Sequence, residues 1–258
     1  MPFTFNRRRR SVFNLERLRD SLLHGAPLRP EDPPLVTNSL LVLNLLFFTA
    51  MVLQGVLAGQ GFSPILNPDP YLLLHSGAQY WPLVINAQEW WRCITYAFTH
   101  GGIIHLAFNM LVLRQIGPLL EADLGPPRYL VLYLLAACGG TAADFLWHPQ
   151  VPVVGASAAL FGLIACAAIW YHRSGPSGYP LRDMMLKWAA IAFVFGFVVG
   201  ADNAGHAGGA LVGVGFGALI PLGYHARRKY APFFLVLATI ATLIIVISLA
   251  LLVFTWIR

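Results

Sequence analysis

Apolar residues gather into seven long runs, at about 36–58, 103–120, 127–147, 153–171, 184–200, 205–223 and 232–257, with short polar or charged stretches between them. Each run is long enough to cross a bilayer as a helix, for which about 20 residues are needed, although several are interrupted by glycine or a polar residue. The pattern predicts an all-α, polytopic membrane protein with seven spans. No repeat of domain scale and no low-complexity tract stands out beyond a proline-rich segment from Pro27 to Pro34.

Composition sharpens this. Of the 258 residues, 57% are hydrophobic and 11% charged, against about 25% charged in ordinary globular chains. The mean hydropathy is +0.66. A soluble protein of this size could not cover its surface with so few polar groups, so a soluble enzyme, a coiled coil and a disordered chain are excluded. Cys93, Cys138 and Cys166 are scattered and odd in number. They give neither a disulfide framework nor zinc-ligand spacing.

Charge then sets the expected direction of crossing. With the N-terminus in the cytoplasm, inner segments carry Arg7–Arg10, Arg17, Arg19, Arg29, Arg128, Arg173, Arg182, Lys187 and Arg227 to Lys229, while outer segments carry only Arg92 and Arg258. This asymmetry follows the positive-inside rule. It accounts for the net charge of +6 without a nucleic-acid partner. Arg114 lies inside the second span, from which a long side chain can snorkel inward. The first 34 residues do not read as a secretory signal, because the apolar stretch comes late and lacks a small-residue cleavage site. The segment 59–101 is rich in amphipathic aromatics, Tyr71, Tyr80, Trp81, Trp90 and Trp91, and reads mostly as an interfacial belt.

In this topology the second, fourth and sixth spans all run from outside to inside, so their first residues share a depth near the outer face. His105 and Asn109, four apart, share one face of the second span. Ser157 opens the fourth span among small residues, Gly155, Ala156, Ala158, Ala159 and Gly162. The sixth span carries His206 one turn before a stripe, Gly209, Gly213 and Gly217, of the kind that lets helices cross closely in lipid. Taken singly, each polar residue reads as ordinary helix packing. Together, a serine beside an imidazole is the minimum activated nucleophile, and His105, Asn109 and the Ser157 N–H are suitable donors for an oxyanion. A zinc protease would need His-Glu-x-x-His, which the His100 to His105 segment lacks. An aspartyl dyad needs facing carboxylates, and Asp144 and Asp202 fall near span ends with no accompanying motif.

The chain from about Tyr71 to Pro221 resembles the rhomboid family of intramembrane serine proteases. The resemblance rests on Trp91-Arg92, His100-x4-His105-x3-Asn109, Glu121, Gly155-Ala156-Ser157 and His206-x2-Gly209-x3-Gly213-x3-Gly217, in that order and spacing. It implies a six-helix core with a seventh, C-terminal transmembrane helix, and a Ser157/His206 dyad with His105 and Asn109 in the oxyanion hole. It also implies substrates that are transmembrane proteins cut in or near a helix, and structural roles for Trp91-Arg92 and Glu121. Two positions depart from the family pattern: Ala158 stands where glycine is frequent, and Phe161 where a tyrosine commonly packs on the imidazole. Asp202, four residues before His206, reads as a loop or cap residue. Residues 1–34 are expected to form a cytoplasmic tail, 35–224 the catalytic core, and 225–258 an inner loop with the seventh span. The layout suits a bacterial plasma membrane, with the bilayer and transmembrane substrates as partners. No cofactor, metal or nucleic acid is expected. The competing readings are a non-catalytic rhomboid-like chaperone or adaptor that binds transmembrane helices, and, more remotely, a transporter or channel.

Overall fold

The computed structural model describes residues 15–29 and 32–257; the basic run Arg7–Arg10 and Arg258 lie outside the described residues. The helices in chain order are α1 (Leu15–His24), α2 (Leu35–Leu57), α3 (Ser63–Leu66), α4 (Pro70–His75), α5 (Trp81–Asn86), α6 (Arg92–Thr95) and α7 (Ile103–Leu124), followed by α8 (Pro126–Trp147), α9 (Ser157–Arg173), α10 (Tyr179–Val199), α11 (Asn203–Leu219), α12 (Tyr224–Lys229) and α13 (Ala231–Ile257). Among the described residues the only β feature is an isolated antiparallel bridge between Gln79 and Val153.

Seven long helices, α2, α7 to α11 and α13, take the places of the seven apolar runs. Of these, α2, α7, α8 and α13 are long and apolar enough to cross a membrane unaided. Helices α9 and α11 have 17 residues each, about 25 Å at the usual rise and shorter than a typical hydrocarbon layer of about 30 Å. Large apolar side chains such as Leu45, Leu46, Leu53, Phe197, Val236 and Leu243 remain more than half exposed on the outward faces of their helices, which is the surface lipid would cover. The protein is an integral membrane protein.

Helix α9 begins later than the fourth apolar run. Val153 is held in the bridge to Gln79, and Gly155 donates its N–H to the Tyr96 carbonyl at 2.9 Å with φ at 118°. That backbone conformation cannot continue a helix, so α9 starts at Ser157. The serine is thereby fixed at the very end of the helix that faces the segment 58–102, the end predicted to be external and called outer below.

Packing explains the glycines of α11. A Cβ at Gly209 would collide with the carbonyl of Ala158, one at Gly213 with that of Gly162, and one at Gly217 with that of Cys166. The pairing advances four residues on both helices at once, so α9 and α11 run parallel with backbones in contact. On its other side Gly208 meets the carbonyl of Gly139, which clamps α11 against α8. Leu160, Leu163, Ile164, Leu132 and Ile116 fill the core around this contact.

Two buried ionic groups brace the frame. The N-cap of α2 is Pro34, which offers no side-chain cap. Glu121 of α7 supplies one instead, accepting from the N–H groups of Val36 (2.9 Å) and Thr37 (2.8 Å) and from the Thr37 hydroxyl (2.7 Å). A carboxylate there also meets the positive end of the helix dipole. Arg92 donates to the carbonyls of Leu74 (2.6 Å) and Ala78 (3.0 Å), pairs with Glu89 and lies over the Trp91 ring. The segment between α2 and α7 is therefore folded rather than a uniform belt. Trp91 is buried within it and Trp81 packs on Phe145, while Tyr71 and Trp90 stay exposed. The far end of α13 ties into the same segment through Trp256, whose indole N–H donates to the His75 carbonyl.

Candidate active site

Ser157 is the first residue of α9 and His206 the fourth of α11, so the parallel packing of these helices puts both side chains at the outer end of the bundle. His206 Nε2 lies 2.8 Å from Ser157 Oγ. The imidazole is buried and stacks on the Phe161 ring, with centroids 4.3 Å apart and planes at 19°. Phe161 is one helical turn after the serine, so a single turn of α9 presents the hydroxyl to one edge of the imidazole and an aromatic face to its plane.

His206 Nδ1 has no hydrogen-bond partner. Asp202 does not reach it. That carboxylate caps α11 by accepting from the N–H groups of Ala204 and Gly205, and its Oδ1 pairs with His148 Nε2 at 2.8 Å. Burial opposes ionisation of Asp202. Hydrogen bonds from Asp144, the Gly205 N–H and His148 nonetheless hold its carboxyl below the ordinary value. The arrangement is a serine and a histidine with no acid behind them.

His105 lies on α7 beside Gly155. A Cβ on Gly155 would come within 2.8 Å of its Nε2, so glycine is required at that position both for its positive φ and for the approach of the ring. The Gly101 N–H lies 3.4 Å from His105 Nδ1. This assigns Nδ1 as acceptor and leaves the ring proton on Nε2, the edge turned toward Gly155 and the start of α9. Asn109, one turn on, donates to the His105 carbonyl at 3.0 Å, which orients its amide. Behind them His100 is fully buried and meets the His105 ring edge-on. Burial and the neighbouring His105 push its imidazole well below the usual range, so His100 is neutral and adds no second positive charge to the site.

Two cavities meet at the serine. The outer one, of about 580 Å³, is lined by Trp147, His148, Val154, Asp202 and Asn203, and by His105 and Ser157. The inner one is a slot of about 20 Å³, room for about one water molecule. Its walls are mainly apolar, with Val112, Leu160, Ile164 and Ala192 beside Asn109 and His206. The stacked rings of Phe108 and Phe195, 3.9 Å apart, close it between α7 and α10. The Ser157 hydroxyl therefore stands between a large, partly polar cavity and a small, mainly apolar one.

Ser157, His206, His105 and Asn109, the four candidates from the sequence, thus line one inner cavity. Three further groups were not singled out for the site: the Gly101 N–H that sets the His105 tautomer, and the Phe108–Phe195 pair. The aspartates differ from the sequence reading in another way. Asp144 and Asp202 fall near the ends of different spans, yet the fold brings them together with His148, with ligand atoms within 4.8 Å of one another. The Asp144-x3-His148 spacing at the end of the third span is the signal that could have pointed there. Asp202 lines the outer cavity but Asp144 lines neither, so the two carboxylates do not face one substrate space together as an aspartyl protease needs.

Comparison with known proteins agrees with this architecture. Residues 87–223 match the Rhomboid domain. Rhomboid protease GluP of Bacillus subtilis is 40% identical over 54% of this chain and 27% of its own length. RHOMBOID-like protein 2 of Arabidopsis thaliana is 30% identical over 72% of this chain and 64% of its own. Inactive RHOMBOID-like protein 8 of the same plant is 30% identical over 57% and 43%. The fold and these matches define a polytopic, all-α membrane protein of the rhomboid type. The chain belongs to the rhomboid family. It spans about a quarter of the length of the Bacillus protein and just under two thirds of that of RHOMBOID-like protein 2.

Proposed function

We propose that the protein is an intramembrane serine endopeptidase that hydrolyses peptide bonds in or near transmembrane helices of other membrane proteins. The observation that carries this reading is the 2.8 Å contact between Ser157 Oγ and His206 Nε2 at the meeting point of the larger outer cavity and an apolar slot. Ser157 attacks the scissile carbonyl while His206 takes its proton, and His206 then returns the proton to the leaving amine. The oxyanion accepts from the Nε2–H of His105, the side chain of Asn109 and the N–H of Ser157. Water from the outer cavity hydrolyses the acyl-enzyme through the same histidine.

The narrow slot suits a small side chain immediately before the cut. A helical substrate protects its own backbone with hydrogen bonds, so segments that unwind easily, with Gly, Pro or polar residues near the cut, are the fitting substrates. The orientation that agrees with the basic residues has the N-terminus in the cytoplasm, with residues 35–224 as the catalytic core in a bacterial plasma membrane. The competing reading is a non-catalytic adaptor that binds transmembrane helices. It leaves unexplained why both nucleophile and base are present in bonding contact, with donors and a cavity around them.

Cleavage of a model transmembrane substrate reconstituted with the full chain tests the proposal. Wild type cuts it, and Ser157→Ala, still folded, leaves it whole; full-rate cleavage by the variant would falsify the assignment.

A further inference from the structure

Beside the dyad lies a cluster of ligand-type side chains that the proposed chemistry does not use. Asp144 and His148 stand four apart at the outer end of α8, and Asp202 comes from the cap of α11. One ligand atom from each lies within 4.8 Å of the other two. Asp144 is 1% exposed, and apart from the Asp202 carboxyl beside it nothing satisfies its carboxylate oxygens. The Nδ1 of His148 is likewise enclosed without a partner. Such a carboxylate next to a second one is costly to bury unless a proton or a cation sits between them.

Only glycine fits beside the carboxylates. Gly205 faces the two carboxylates: a Cβ there would press on Asp202 Oδ2 and come within 3.1 Å of Asp144 Oδ1. His148 and Asp202 line the outer cavity, which gives a small cation a path from the aqueous side. Two carboxylate oxygens and one imidazole nitrogen form a three-ligand set that zinc accepts with water in the fourth position. An imidazole among so few ligands argues against calcium or magnesium, which want oxygen donors.

We propose that Asp144, His148 and Asp202 form a binding site for a divalent transition-metal ion of the zinc type, bridging the outer ends of α8 and α11. The site touches the catalytic helix directly. Asp202 is the N-cap of α11, and its carbonyl accepts the N–H of His206 at 3.2 Å. A cation bound there pulls on the residue that caps α11 one turn before His206, so occupancy of the site shifts the imidazole against Ser157 and lowers the rate of the proposed cleavage. This second consequence rests on the protease reading; the binding itself does not.

The test uses the tag-free full chain in detergent micelles, without substrate. Cobalt(II) is titrated as a visible probe and then displaced with zinc(II). The expected result is one equivalent per chain with a ligand-field absorption that zinc abolishes, and affinity weakened at least about tenfold, the scale seen when a metal's surroundings are altered, in both Asp144→Asn and His148→Gln. Helix content by circular dichroism verifies each variant, and His148→Gln carries the test if Asp144→Asn fails to fold. Absence of stoichiometric binding in wild type, as a proton shared by the carboxylates would give, overturns the proposal, as does binding unchanged in the folded variants. Where wild type cleaves substrate, zinc lowers the rate at least about fivefold, the lower end of ordinary coupling between sites. His148→Gln relieves that inhibition. Failure of cleavage altogether strikes the protease reading and leaves the metal result standing.

Discussion

Ser157 Oγ and His206 Nε2 lie 2.8 Å apart across 49 residues of sequence, and among the described residues no carboxylate bonds the other ring nitrogen of the histidine. The contact follows from two parallel helices whose backbones touch through Gly209, Gly213 and Gly217, so the dyad's geometry is a property of the helix crossing.

The first expectation concerns reactivity. A serine-directed fluorophosphonate should label Ser157 in the folded chain and fail on Ser157→Ala. Labelling of His206→Gln should drop by about 10²- to 10⁴-fold, the usual contribution of a general base. Equal labelling of wild type and the histidine variant would show that the serine is not activated by its neighbour.

The stack of Phe161 on His206 should matter through ring surface rather than polarity. Phe161→Tyr is expected to keep near-wild-type cleavage. Phe161→Ala removes an aromatic pair worth about 0.5–1.5 kcal/mol and should lower kcat/KM by about two- to tenfold. Identical rates in the two variants would mean that the stack does not position the base.

Gly209 is where α11 meets the carbonyl of Ala158, one residue after Ser157. Gly209→Val should destabilise the fold by about 1–3 kcal/mol through overpacking. It should also reduce labelling of Ser157 in the fraction that remains folded, because the helices are pushed apart beside the dyad. A shifted thermal midpoint with unchanged labelling would separate the packing from the chemistry.

Cys93 lies in the folded segment ahead of α7, and burial, followed by its neighbour Cys138, raises its thiol from 9.0 to about 11. Only the thiolate reacts with alkylating agents. Peptide-resolved alkylation at pH 8 should therefore be at least about tenfold slower at Cys93 in the folded protein than after unfolding, given the two-unit difference in pKa. Between pH 9 and about 11 the unfolded chain releases a proton that the folded chain keeps, so this residue lowers stability as pH rises through that window. Equal alkylation rates in both states would show the thiol to be open to solvent.

The apolar runs, the basic asymmetry and the Gly209 stripe are legible in the sequence, because lipid solvation and helix crossing impose residue types at fixed spacings. The four polar residues of the site were also readable, since a polar group in an apolar span stands out. The start of α9 was less so: its apolar run begins at Val153, and only the contacts of Val153 and Gly155 with distant residues delay the helix to Ser157. The trans cap that Glu121 gives to α2 depends in the same way on two segments 84 residues apart.

The sequence by itself determined which segments cross the bilayer and which residue types sit near one end of them, because hydrophobicity and helical period are local properties of the chain. Tertiary structure decided which of those side chains touch. It aimed the His105 Nε2 edge, set Phe161 on His206, turned Asp202 away from the imidazole toward Asp144 and His148, and divided the space around Ser157 into a large, partly polar cavity and a narrow, mainly apolar slot. These choices depend on where one backbone stops against another, and that distance is fixed by collisions between helices far apart in the chain.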